Sequence, residues 1–415
     1  MRSQQICILG MGYIGLPTAA LFARSGVRVH GVDVNPEICE GINTGRICLE
    51  EPGLQELVRE SVEAGMLTVS AQPVPADAFI IAVPTPITPQ KKADLSFVAA
   101  AAQMLVPVLK KGDLVILEST VPPLCTQTLL VPELEKTGLS AVGDFNVAHC
   151  PERVLPGQII HELINNSRII GGYTEEGAKR AADLYAVFVK GELCVTDAAT
   201  AEMCKLMENT FRDVNIALAN ELAQICDHLH INAWDVIHFA NKHPRVHLHQ
   251  PGPGVGGHCL AVDPWFIVEK DPETAKIIGL SRRTNDGMPH YVAEKIQELS
   301  KDGKVLLLGC TYKPDVDDVR ESPAIELSEI LTRKGYRVEI YDPHVPKYAG
   351  ALLEKACDAV VTVLAVNHSA FSNIDYAALK EAVKLPVLLD TRNCSDMQKA
   401  RAVGFECYLL GGGVL

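Results

Sequence analysis

The sequence predicts an α/β protein with two doubly wound domains joined by one long central helix. Three observations carry that prediction: strand-length apolar runs alternating with helical stretches near the start of the chain, a second such series near its end, and an intervening segment free of Gly and Pro. The first series is Ile6 to Leu9, Val27 to Asp33, Ala78 to Val83, Leu114 to Glu118 and Phe145 to His149. Short β-branched runs separated by Ala- and Leu-rich stretches mark βαβ units, whose parallel strands are buried under helices on both faces. The second series is Lys304 to Leu308, Arg337 to Tyr341, Ala359 to Leu364 and Val387 to Asp390. From Thr196 to His230, Leu206, Phe211, Val214, Leu218, Leu222 and Ile225 recur at helical spacing. The expected divisions are 1–190, a central helical region 191–298, and 299–415.

Composition narrows the class of function. At roughly 150 residues per domain, 415 residues allow two or three domains. With 47% hydrophobic and 21% charged residues the chain can build ordinary globular cores, which excludes disorder. A net charge of -13 argues against nucleic acid and anionic membrane as partners. The opening residues lack a basic n-region and a long apolar core, and no apolar run approaches the roughly 20 residues that span a bilayer. Thirteen cysteines without a CxxC pair point to reduced thiols in the cytoplasm rather than to disulfides or zinc. The long helix has more apolar surface than two flanking domains cover, so a homodimer or higher homo-oligomer is expected.

Gly10-Met11-Gly12-Tyr13-Ile14-Gly15 follows the first strand and opens a helix through Ala19, Ala20 and Ala23. In that context GxGxxG is a dinucleotide cradle of the Rossmann-like type: one glycine for the turn, one for close approach of a pyrophosphate, one for packing of helix on strand. Asp33 closes the second strand 18 residues beyond Gly15, where a carboxylate accepts both ribose hydroxyls and repels a 2′-phosphate. NAD is therefore the expected cofactor. Thr85 and Thr120 each follow a strand, at the edge where parallel sheets receive ligand, and are placed at the nicotinamide end or, equally, are ordinary turn and cap residues.

Pro251 to Pro264 reads PGPGVGGHCLAVDP, a glycine-rich loop delivering Cys259, with Asp263 four residues on. So little side chain surrounds this thiol, and so many N–H groups are free to hold an anion, that it reads as a nucleophile rather than a buried hydrophobe. On the central helix Lys205, Asn209 and Arg212 share one face. Such a row is commonly a solvated stripe, yet a Lys beside an Asn also suits a developing alkoxide.

Together with Pro151-Glu152-Arg153, the helix Ala201 to Asn209, the Gly-Gly-His-Cys259 loop and the run Thr311 to Ser322, these motifs resemble the UDP-glucose/GDP-mannose dehydrogenase family over essentially the whole chain. The resemblance implies NAD-dependent, four-electron oxidation of a nucleotide-sugar C6 hydroxyl to a carboxylate. Cys259 would add to the aldehyde as a thiohemiacetal and leave a thioester for water. Lys205 and Asn209 would hold or deprotonate the reacting oxygen, and Asp263 with Glu152 would handle water or protons. The same resemblance puts Arg153, Val154, Arg212 and Gly256 around the sugar and nucleotide, and His243 and Arg245 against the substrate from a neighbouring subunit. It puts Tyr312 and Lys313 on the UDP side and Arg320 on the NAD phosphates, unless Arg320 pairs with Asp317 or Glu321. His243, His247 and His249 lack a nearby carboxylate, so no metal is expected.

After Cys259 the chain reads Leu-Ala-Val-Asp-Pro-Trp, without the lysine of the UDP-glucose members, and Pro151 to Gly157 replaces their Phe-Leu-Arg-Glu-like stretch. Both changes resemble the N-acetylhexosamine branch. Within it, His-Pro-Arg-Val at 243 to 246 and Ala-Val-Asp-Pro-Trp at 261 to 265 resemble the members that take N-acetylmannosamine more than those that take N-acetylglucosamine, and the resemblance implies the former substrate over N-acetylglucosamine or glucose. Two other expectations compete: a two-electron 3-hydroxy acid dehydrogenase, and a sensor that binds nucleotide sugar or NAD without turnover. Neither needs a thiol on a glycine loop.

Overall fold

The computed structural model describes residues 5–413. The chain divides into two compact units, Met1–Glu208 and Asn209–Leu415. The first holds an eight-stranded sheet with strands β1 (Gln5–Leu9), β2 (Arg28–Val32), β3 (Leu67–Ser70), β4 (Ala78–Ile81), β5 (Leu114–Leu117), β6 (Asn146–His149), β7 (Arg168–Gly172) and β8 (Leu193–Asp197). Their order is β3-β2-β1-β4-β5-β6-β7-β8, and every pairing is parallel except β6 with β7. The central strands are buried on both faces, which is why they read as unbroken apolar runs such as Ala78-Phe-Ile-Ile81. One core cluster gathers Ile6, Ile8, Ile80 and Ile116, and the other Cys7, Leu9, Phe79 and Val115, as alternation along a strand requires.

The second unit holds a five-stranded parallel sheet of β9 (Lys304–Leu308), β10 (Arg337–Tyr341), β11 (Ala359–Leu364), β12 (Val387–Asp390) and β13 (Glu406–Leu409), in the order β10-β9-β11-β12-β13. It repeats the turn of the first. Gly10 and Gly309 both take a left-handed backbone, φ 93° and 90°. Their N–H groups bond the ends of the adjoining strands, Val32 and Tyr341, at 2.8 Å each. The next N–H then donates to an Asp: Met11 to Asp33 Oδ2 at 3.0 Å, Cys310 to Asp342 Oδ2 at 2.7 Å.

The helix expected from Thr196 to His230 spans Ala198–Leu229. Its apolar positions do not form one buried row: Leu206 is buried, whereas Phe211, Leu218 and Ile225 are exposed and the inward positions further along are filled by Ala217, Ala219, Ala223 and Cys226. Among the described residues no helix is long and apolar enough to cross a membrane. All thirteen cysteines are free thiols.

Candidate active site

Around the first glycine motif the backbone separates three roles. A Cβ at Gly10 would lie 2.6 Å from the Ala82 carbonyl oxygen, and one at Gly15 only 1.8 Å from that of Gly10, whereas nothing lies within 4 Å of a Cβ at Gly12. Gly10 and Gly15 are required by the fold, and Gly12 leaves open space before the helix Gly15–Arg24, with Tyr13 and Ile14 half-buried beside it. Asp33, half-buried past the end of β2, accepts the N–H of Met11 on Oδ2 and that of Asn35 on Oδ1 at 2.9 Å. A carboxylate oxygen has lone pairs to spare beyond one such bond, so the group can still receive a ribose diol. Helix N-terminus, open glycine and carboxylate together fit NAD. Gly12→Ala is expected to keep the melting temperature within about 2 °C while weakening NAD binding at least about tenfold, because only the cofactor meets the new methyl. Gly15→Ala is expected to lower both, and thermal unfolding beside an NAD titration separates the two outcomes. Thr85 and Thr120 are brought together: the Thr85 hydroxyl donates to the Thr120 carbonyl at 2.6 Å, tying the loops that follow β4 and β5.

Glu152 lies on the loop after β6 with Oε1 buried and without a hydrogen-bond partner. Burial pushes its carboxyl up to about 7, against the pull of the nearby Lys205 charge. Arg153 forks onto Glu208, Nε to Oε2 at 3.0 Å and Nη2 to Oε1 at 2.6 Å, and Val154 packs on the core of the first sheet. The buried Glu51 pins the end of this loop by accepting the N–H groups of Gly157 and Ile159 at 2.8 and 2.7 Å.

Sequence reasoning missed the cluster beside Glu152. Glu118, just past β5, pairs with Arg168 of β7, and both are buried. The Tyr185 hydroxyl donates to Glu118 Oε1 at 2.6 Å, and the Arg168 guanidinium lies 3.9 Å over the Tyr185 ring. Burial pushes the Glu118 carboxyl up and Arg168 pulls it back, while Arg168 in turn draws the Glu152 carboxyl down. A lone charge closing the apolar run Leu-Val-Ile-Leu was the available signal.

In the second unit Cys259 is half-buried, and its carbonyl accepts the N–H groups of Val262 and Asp263 at 3.0 and 2.8 Å, so the thiol precedes the helix Asp263–Lys270 directly. Asp263 is 3% exposed, and its Oδ2 accepts from Asn209 Nδ2 at 2.6 Å. On the same long helix Lys205 stands one turn before Asn209 and is half-buried, while Arg212, on the next turn, is exposed. Gly256 and Gly257 let the loop press on the segment 312–321: a Cβ at Gly256 would lie 2.4 Å from the Glu321 carbonyl oxygen, and one at Gly257 would lie 2.9 Å from the Tyr312 ring. The Gly257 N–H donates to the Arg320 carbonyl at 3.1 Å. The Arg320 side chain pairs with neither Asp317 nor Glu321 but forks onto Asp318, its Nε 3.0 Å from both oxygens. Arg320, paired with Asp318, and Tyr312 both interact electrostatically with Cys259. Lys313 follows, half-buried.

His243 and Arg245 are exposed on a loop closed by Asn241, which bonds Leu248 through both its amide groups. A cavity of about 350 Å³ beside Trp234, His238 and Asn393 holds none of the residues predicted from sequence. Asp315, His344 and His368 come close enough to hold a metal ion. His368, however, has both ring nitrogens engaged: Nδ1 accepts the Asp315 N–H at 2.9 Å, which fixes the proton on Nε2, 3.0 Å from Asp342 Oδ2. Arg392, on the loop after β12, was also missed; its guanidinium occupies the space a Cβ at Gly252 would need, with Nη1 2.5 Å from that point.

Three family descriptions match the chain: the NAD binding domain of the UDP-glucose/GDP-mannose dehydrogenase family over residues 4–189, its central domain over 199–287 and its UDP binding domain over 306–397. An NDP-N-acetyl-D-galactosaminuronic acid dehydrogenase of Ralstonia nicotianae is 47% identical over 96% of this chain and 97% of its own. A UDP-N-acetyl-D-mannosamine dehydrogenase of Methanococcus maripaludis is 44% identical over 99% and 97%. Among solved structures, the UDP-D-ManNAc dehydrogenase of Pyrococcus horikoshii superposes with a TM-score of 0.93 at 40% identity, over 99% of this chain and 100% of that one. With its NAD-binding unit and these relatives, the chain belongs to the UDP-glucose/GDP-mannose dehydrogenase family of oxidoreductases.

Proposed function

We propose that the protein oxidises the C6 hydroxyl of UDP-N-acetyl-D-mannosamine to the carboxylate, with Cys259 as covalent nucleophile. The observation that carries this reading is the setting of Cys259: a thiol on a glycine loop, four residues before the helix start at Asp263, which is itself locked to Asn209, and in electrostatic contact with Arg320. NAD supplies the hydride acceptor, one molecule for each two-electron step. Lys205 and Asn209 hold the reacting C6 oxygen as its proton leaves. The Cys259 sulfur adds to the resulting aldehyde carbon, and loss of a second hydride converts the thiohemiacetal into a thioester. Water then adds to the thioester carbonyl, and the thiol departs with a proton as the carboxylate forms. Asp263 and Glu152 manage water and protons in that last step. Gly10, Gly12, Tyr13, Ile14, Gly15 and Asp33 hold the cofactor, with Thr85 and Thr120 at its nicotinamide end. Arg153, Val154, Arg212, Gly256, Tyr312 and Lys313 take the sugar nucleotide, joined by His243 and Arg245 of a second copy.

Names of relatives support the sugar: the Methanococcus, Pyrococcus and Staphylococcus aureus proteins are called UDP-N-acetylmannosamine dehydrogenases. The Ralstonia relative favours an N-acetylgalactosamine derivative as second reading. Incubation of purified protein and NAD with the UDP derivatives of N-acetylmannosamine, N-acetylgalactosamine, N-acetylglucosamine and glucose decides between them; two NADH per UDP-N-acetylmannosamine is the expected result, and no turnover of any sugar would favour a sensor.

With its carboxyl near 7, Glu152 is protonated below that pH and charged above it. If it serves as base, kcat rises with pH through about 7, and Glu152→Gln flattens that limb. The sign for stability is opposite: a carboxyl raised from 4.5 in the folded state gives a contribution that is full below 4.5 and lost as pH rises through 7. Free thiols throughout suit a cytoplasmic enzyme. Phe211 and Leu229, 63% and 62% exposed on the long helix, suit a homodimer, which sedimentation equilibrium tests directly.

A further inference from the structure

A second polar cluster lies outside the groups assigned above. Arg282 and Asn285 on the helix Lys276–Leu299, and Asp213 and Asn220 on the long helix, are all 0% exposed. Arg282 donates to Asp213 and Asp286, and Asn285 Nδ2 donates to Asp213 Oδ1 at 2.8 Å and to its carbonyl at 3.0 Å. Asn220 Nδ2 donates in turn to Asn285 Oδ1 at 2.8 Å. Complete burial of so many polar groups costs several kcal/mol unless they are paired, and here Asp213 Oδ1, Asn285 and both Arg282 Nη atoms are bonded while Asp213 Oδ2 and Arg282 Nε are not.

Two further bonds leave the cluster, and both end on the loop that carries the thiol. The Gly252 N–H donates to Asn220 Oδ1 at 2.8 Å, and Arg282 Nη1 donates to the Leu260 carbonyl at 3.4 Å. Between those anchors lie Gly254, Gly256 and Gly257, residues with no side chain of their own to fix the path. We infer that Arg282 and Asn220 are positioning residues for Cys259: they hold the two ends of the glycine loop, whose middle Gly257 ties to Arg320, so that the sulfur stands where an aldehyde carbon is delivered. Capture of an aldehyde needs reacting atoms about 3–3.5 Å apart, and a displacement of about 1 Å costs about 10²-fold in rate. The first hydride transfer does not use the thiol, so a loosened loop slows the second oxidation and leaves the first.

This inference rests on the reading of Cys259 as nucleophile, and the experiment keeps the two apart. Arg282→Lys retains the charge beside Asp213, but a single ammonium cannot also span Asp286 and Leu260. Asn220→Ala removes the acceptor of Gly252 together with the donor to Asn285 Oδ1, leaves Arg282 and Asp213 in place, and serves if the first variant does not fold. Hydrogen exchange of the resting proteins reads the anchoring without any substrate: peptides covering 252–260 are expected to exchange at least about tenfold faster, with the first sheet unchanged. With the sugar that the wild type oxidises, NADH per sugar is expected to fall from two toward one, with free aldehyde trapped by hydroxylamine and KM for NAD unchanged. Mere loss of folded protein lowers the rate without altering that ratio. Faster loop exchange with the ratio still at two overturns the positioning role, as does unchanged exchange in both variants. If Cys259→Ser itself yields two NADH, the nucleophile reading fails and the anchoring is decided by exchange alone.

Discussion

Cys259→Ser is expected to stop oxidation after one hydride, giving one NADH per sugar and a trappable aldehyde, while carboxylate formation slows by at least about 10³-fold. The reason lies in the aldehyde, which holds its remaining hydrogen on an sp² carbon and releases it as hydride only after a nucleophile adds. A thiol near neutral pH already holds a few per cent thiolate, whereas a serine hydroxyl has essentially no alkoxide. The backbone of the loop has no reason to change, since Oγ replaces Sγ on an unaltered Cβ, so NAD affinity and melting temperature are expected to match the wild type. Full turnover to two NADH within tenfold of the wild-type rate would sink the covalent route and leave hydration of the aldehyde as the path to carboxylate.

Arg168→Met is expected to cost about 3–5 kcal/mol, because it strands the Glu118 carboxylate in the core of the first sheet with only Tyr185 and Thr18 as donors. For a unit of some 200 residues that is a drop of roughly 10 °C in melting temperature. Glu118→Gln added to Arg168→Met removes the stranded charge and is expected to restore most of the loss, so the double variant should be more stable than the single one. The damage should also grow with pH, since a stranded carboxyl takes up a proton when it can. Thermal unfolding of the wild type, both single variants and the double variant supplies the full cycle; a loss below 1 kcal/mol in the arginine variant would show that Glu118 is already neutral.

Much of this was readable in advance where chemistry and local geometry coincide. Gly10 is marked by its left-handed turn and Gly15 by the Gly10 carbonyl five residues before it, Asp33 by the end of its strand, and Cys259 by the glycines on its own loop. Strand β7 was not readable, because Arg168-Ile-Ile-Gly-Gly172 ends in the residues of a turn. Those glycines exist for packing: a Cβ at Gly171 would lie 2.5 Å from that of Ala201 and one at Gly172 2.6 Å from that of Ala178. Strands β3 and β13 lie at the edges of their sheets, and Leu67-Thr-Val-Ser70 and Glu406-Cys-Tyr-Leu409 lack the unbroken apolar run that marks central strands of the same length such as β4 and β5. Asp213 and Arg282 stand 69 positions apart, and nothing in either neighbourhood announces the other. On the long helix, periodicity located the helix but not which of its apolar residues lie inward: Leu206 and small residues fill those positions, and Phe211 and Leu218 are exposed.

The two sheets carry the same turn, yet only one of the two acids is left open to a ligand. Asp33 and Asp342 sit at the same place, each holding the backbone of its own glycine turn. Asp33 stays half-exposed, with lone pairs on offer; Asp342 is fully buried, its Oδ2 accepting from His368 as well as from the Cys310 N–H and its Oδ1 from the His344 N–H. Hydrogen bonds from His368 and from the backbone hold its carboxyl down to about 2 despite burial, so it is a permanently charged rivet rather than a reader of sugars. A search for ribose-binding acids by strand and turn alone would count two in this chain. One imidazole reduces the count to one, and any ribose reaching the second unit must be recognised by different groups.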